Sequence, residues 1–141
     1  FVVVSQFNAR LVRRYGMFRL FAVGATIQWV GSMGLMLLAL TPWVSLPLVY
    51  VMLFMIIAAI GLTAPNSTAM ALAEQGKQAG MASALMGALQ FSLGLLGGIV
   101  LHALGLSEVL GIGVMMVLMI SLGGIALWFY YLRLSQAAAH A

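Results

Sequence analysis

The sequence predicts an all-α, polytopic membrane helix bundle with four full transmembrane helices and the end of a fifth. Three observations carry this. Hydrophobic residues make up 65% of the chain and charged residues 6%, with a mean hydropathy of +1.17, whereas a soluble domain carries roughly a quarter charged residues. The few charges punctuate long apolar runs: no Asp, Glu, Lys or Arg lies between Leu20 and Ala73, between Gln78 and Ser107, or between Val109 and Leu132. No alternating period competes with a helical reading of those runs.

The elements follow in order. Phe1-Val2-Val3-Val4 opens inside an apolar run, and its basic residues come after it, at Arg10, Arg13 and Arg14. A signal peptide has the reverse order. Residues 1–7 are therefore expected to be the last turns of a truncated helix, and the chain a piece of something larger. Residues 8–17 are expected to be a loop. The longest charge-free run is too long for one crossing, because about 20 residues span a ~30 Å hydrocarbon core. Thr41-Pro42-Trp43-Val44-Ser45-Leu46-Pro47 divides it: two prolines end one helix, and Pro47 suits the first turn of the next. Four spans are expected, at about 18–40, 47–73, 79–104 and 108–132. Ser107 suits the N-cap of the last, with Glu108 at the positive end of its dipole. The Ala-rich stretch 136–141 is too short to assign.

Orientation comes from the basic residues. With loops on alternating sides, all six (Arg10, Arg13, Arg14, Arg19, Lys77 and Arg133) fall on one face. The positive-inside tendency makes that face cytoplasmic, together with the C-terminus. Trp43 on one side and Trp128-Phe129-Tyr130-Tyr131 on the other suit interfacial aromatic belts. The lipid bilayer is the expected surrounding. The pI near 10.2 does not point to nucleic acid, since six scattered cations make no phosphate-binding surface. The lack of Cys removes disulfides and thiolate metal sites. Paired carboxylates, nucleophile–base sets, metal-spaced His clusters and glycine-rich phosphate loops are all missing from the sequence. No enzyme activity, metal or cofactor is expected.

Several stretches resemble a known family. Gly61-Leu62-Thr63-Ala64-Pro65-Asn66, Ala69-Met70-Ala71-Leu72, Ala79-Gly80-Met81-Ala82-Ser83-Ala84-Leu85, Gly87 and Leu89-Gln90-Phe91 are similar to the tenth and eleventh helices of Bcr/CflA-type multidrug efflux transporters of the major facilitator superfamily. Asn8, Arg10-Leu11-Val12 and Arg13-Arg14-Tyr15-Gly16 resemble that family's cytoplasmic loop between helices eight and nine. The resemblance covers nearly the whole chain, in order. It implies a stretch from the end of helix eight to helix twelve of a twelve-helix fold, whose missing N-terminal half would be the chief partner. It further implies a bacterial inner-membrane exporter of drugs or other small molecules, working by proton antiport and alternating access. An exporter of a natural metabolite, such as an amino acid or sugar, is the alternative within transport. A non-transporting membrane scaffold is the alternative of another class, and a complete four-span exporter a third.

Individual residues admit two readings each. Pro65 removes the donor for the Gly61 carbonyl and should kink its helix, and Asn66 beside it either resatisfies freed backbone groups or serves substrate passage and gating. In the third span Ser83, Gly87, Gln90, Gly94 and Gly97 share a face. That face either packs closely, as Gly94 and Gly98 in a GxxxG-like pattern suggest, or walls a substrate cavity with Met86 and Met81 nearby. Gly24, Gly31 and Gly34 are expected to form a packing stripe in the first span, with Thr26 and Gln28 bonding to neighbouring helices. Gly94→Leu and Gly98→Leu are accordingly expected to disturb packing more than Gln90→Ala. His102 suits the interface. The only acids, Glu74 and Glu108, lie at span ends, so the chain by itself is not expected to move protons.

Overall fold

The computed structural model describes residues 2–73 and 75–139, with side chains 2, 127 and 130–139 outside the description. The described residues are almost wholly helical. They form α1 (Val2–Tyr15), α2 (Met17–Ala39), α3 (Leu46–Leu72), a single 3₁₀ turn (Gly76–Gln78), α4 (Ala79–Leu104) and α5 (Glu108–Ala139). Four helices, α2 to α5, are long and apolar enough to cross a membrane. The protein is thus a helical membrane protein, and the four expected spans coincide with these helices to within a residue or so at most ends.

Two boundaries differ from expectation. The segment 8–15 is helix rather than loop, so Asn8, Arg10, Arg13 and Arg14 belong to α1. Charge does not end a helix. Ala9, Arg10, Leu11, Arg13 and Arg14 are good helix formers, and nothing in that stretch breaks the backbone before Gly16. Gly16 does break it: its φ of 82° lies where side chains other than glycine's are strained, and α2 starts at the next residue. At the other end, α5 runs through Ala139 instead of stopping near 132, for the same reason: no Gly or Pro follows Gly124.

The remaining ends obey local rules. Pro47 sits in the first turn of α3, behind an extended Ser45, where its missing N–H goes unneeded. Gly105 closes α4 in the left-handed conformation, φ 60°. The Ser107 carbonyl accepts the first bond of α5 from Gly111 N at 2.8 Å, and Glu108 stands in the first turn. Trp43 at the α2–α3 connection and Trp128 toward the end of α5 are both exposed, as interfacial anchors must be. Glu74 and the terminal His140 and Ala141 lie outside the described residues.

Packing centres on α2, which lies extensively along α3 and then α5; α1 packs on α3. Glycines permit the approach. A Cβ at Gly24 would stand 2.8 Å from Thr63 Cγ2 and 2.9 Å from Leu62 Cβ, and one at Gly31 would stand 2.9 Å from Ile56 Cγ1. A Cβ at Gly34 would stand 3.2 Å from Met52 Sδ. The Gly24, Gly31 and Gly34 stripe is therefore the α2–α3 seam. Leu20, Leu35, Ile56 and Ala59 form the buried apolar core along it. On the α5 side, a Cβ at Gly113 would come 2.8 Å from the backbone nitrogen of Met36. In a bilayer, such close backbone contact supplies much of what holds helices together, since lipid is as apolar as leucine.

Helix α4 is different. It touches α3 and α5 only sparsely and buries none of its residues. Gly94 and Gly98 meet nothing within 4 Å of an added Cβ. Their expected role in packing is thus not realised among the described residues; only Gly97 approaches a neighbour, Met115 Cε at 3.2 Å. The GxxxG spacing creates a smooth helix face, but a smooth face packs only where a second backbone comes to it.

Candidate functional site

Two deeply buried polar side chains meet where α1 packs on α3. Asn66 follows Pro65 within α3 and is 2% exposed; Asn8 on α1 is 4% exposed. Their carboxamides pair reciprocally. Asn66 Nδ2 donates to Asn8 Oδ1 at 2.8 Å, and Asn8 Nδ2 donates to Asn66 Oδ1 at 3.3 Å. The second Asn66 proton goes to the Leu62 carbonyl at 2.7 Å. That last bond fixes the orientation of both amides, because flipping Asn66 would set its oxygen against a carbonyl oxygen. The proline frees the carbonyl of Gly61, whereas the amide caps its neighbour Leu62, so Asn66 reinforces the turn around the interruption without replacing the lost bond itself. Asn8, expected in a solvated loop, is one half of this pair.

Four hydroxyls in the spans donate within their own helices. Ser32 Oγ donates to Gln28 O at 2.7 Å, Thr26 Oγ1 to Ala22 O at 2.9 Å, Thr63 Oγ1 to Ala59 O at 3.4 Å and Ser67 Oγ to Ala64 O at 3.0 Å. The interhelical bond expected of Thr26 is therefore not made; an i−4 carbonyl lies closer than any neighbouring helix. Gln28 makes no side-chain bond either: among the described residues its amide has no partner. Among the described residues, the α2–α5 side-chain bond comes from a residue the sequence did not single out, Trp29, whose Nε1 donates to Ser121 Oγ at 3.1 Å.

Between α2, α3, α4 and α5 lies a cavity of about 460 Å³. Gln28 is the only polar residue at its wall; Gly94, Gly97 and Gly98 of α4 and Met115, Met116 and Met119 of α5 line much of the rest. Gly94 and Gly98 thus border open space. The residues expected to wall a cavity from α4 stand elsewhere: Ser83 and Gln90 are exposed, Met86 and Gly87 half-exposed, and none of the four borders this space. Met81 is exposed as well. The helical face through 83, 87, 90 and 94 was legible, but which neighbour it meets was not. The Met cluster of α5 could have been found from its i, i+1, i+4 spacing on a helix otherwise rich in Ile, Leu and Val.

The described structure is that of a membrane-embedded helix bundle with a buried amide pair and a mostly apolar cavity among four helices. No protein-family model, curated protein or solved structure matches the chain.

Proposed function

We propose that the chain is the C-terminal part of a membrane exporter of drugs or other small organic compounds, driven by proton antiport through alternating access. The observation that carries this reading is the Asn8–Asn66 pair beside Pro65, inside the continuous helix α3. Polar groups inside a membrane span are expensive and mark functional positions by default. The resemblance of the Gly61–Asn66 and Ala79–Phe91 stretches to efflux transporters supplies the substrate class and the coupling. The test is drug accumulation in an efflux-deficient bacterium carrying the whole gene product. Lowered accumulation that collapses with the proton gradient is expected, and Asn66→Leu should weaken it. Unchanged accumulation of every compound tried would defeat the reading.

The reading also sets a topology, with Lys77 and the C-terminus in the cytoplasm of a bacterial inner membrane. The Cys-free background makes this directly measurable. Cysteines placed at 44 and 106 should react with an impermeant thiol reagent in intact cells, and a cysteine at 77 should not. The reverse pattern would overturn the orientation.

A further inference from the structure

We infer that the cavity between α2, α3, α4 and α5 is a binding site for an uncharged, largely apolar molecule carrying one hydrogen-bonding group, with Gln28 as its anchor. Its volume of about 460 Å³ lies within the range of small-molecule sites, ~300–1,000 Å³, which are typically apolar with a few placed polar groups. No ionisable residue is among those that line it, so a charged ligand would lose its hydration with nothing in return. The Gln28 amide is half-buried within a membrane-spanning helix and lacks a protein partner among the described residues. An amide in that setting favours a ligand that accepts or donates a hydrogen bond over a plain hydrocarbon.

Two further features fit a site rather than a packing fault. Gly94 and Gly98 have open space where a Cβ would project, so the missing side chains leave room without bringing a helix closer. Opposite them stand Met115, Met116 and Met119. Unbranched, polarisable thioethers reshape around varied apolar ligands at little cost. The site needs no movement of cargo, and it stands or falls independently of the transport reading.

Benzophenone is a suitable probe. Its ketone can accept a bond from the Gln28 amide, its rings suit the apolar wall, and on irradiation it inserts into nearby C–H bonds, methionine's readily. Irradiation of the membrane-embedded protein, followed by peptide mass mapping, should place adducts on Met115, Met116 or Met119. Gly94→Leu and Gly98→Leu, which fill the cavity, should each cut that labelling tenfold or more. Gln28→Leu, similar in size, should cut it at least threefold; it also decides alone if the glycine variants fail to assemble. Adducts scattered over outward residues such as Phe54, or labelling indifferent to Gln28→Leu, would overturn the proposal; the second result would mean simple hydrophobic filling, as by an acyl chain. A parent protein that exports but takes no label at Met115, Met116 or Met119 would count against this site alone, and a labelled parent without efflux against the transport reading alone.

Discussion

Gly113→Leu is expected to separate α5 from α2. Even one added carbon at position 113 would stand 2.8 Å from the Met36 nitrogen and 2.9 Å from its Cα. Backbone cannot rotate aside as a side chain can, so the two helices must move apart along the contact. Overpacking of this kind typically costs ~1–3 kcal/mol; Gly113→Ala should fall in that range and Gly113→Leu at or above its top. Gly94→Ala, with nothing within 4 Å, should change stability by less than ~0.5 kcal/mol. Unfolding in mixed micelles measures all three. The Trp29–Ser121 bond gives a local readout, because Trp29 emission should shift when α5 withdraws. A Gly113→Leu protein that unfolds with the parent would show that α2 and α5 do not approach as described.

Asn66→Leu should destabilise the protein more than removal of both asparagines does. With Asn66 gone, the Asn8 amide stays buried without a partner, which costs roughly 1–3 kcal/mol. The double variant Asn8→Leu/Asn66→Leu removes both partners and should recover part of that loss, leaving the Leu62 carbonyl to its helix. A double-mutant cycle isolates the coupling. Membrane hydrogen bonds average only ~0.6 kcal/mol in such cycles, with a maximum near ~1.7, and a pair this buried and reciprocal should lie toward the upper value. Strict additivity of the two substitutions would mean that the amides do not bind each other.

The spans were legible because charge, proline and length act locally. Leu20 to Ala73 cannot be one helix, and Pro42 and Pro47 say where it divides. The Gly24, Gly31 and Gly34 stripe was legible too, since small residues recurring on one helix face mark a close contact whichever helix supplies it. What escaped was every feature that depends on a distant partner. Asn8 looks like a loop residue from its neighbours Arg10, Arg13 and Arg14, and only Asn66, far along the chain, makes it a core residue. Gly113 is one glycine among several in α5 until Met36 is set against it. Gly94 and Gly98 show the converse: an excellent packing face, with no backbone brought to it. Gln28 and Thr26 have similar sequence surroundings, yet a hydroxyl can reach its own helix and the Gln28 amide does not.

The contrast between locally satisfied hydroxyls and the shared amide pair bears on biogenesis. Ser32, Thr26, Thr63 and Ser67 carry their acceptors with them, so their helices can leave the translocon one at a time without a polar debt to the lipid. Asn8 cannot, because its partner lies 58 residues downstream. At synthesis rates of ~5–20 residues per second, Asn66 follows Asn8 by roughly 3–12 s. Through that interval the Asn8 amide must find partners in water, lipid headgroups or the insertion machinery, and α1 takes its final place only once α3 arrives.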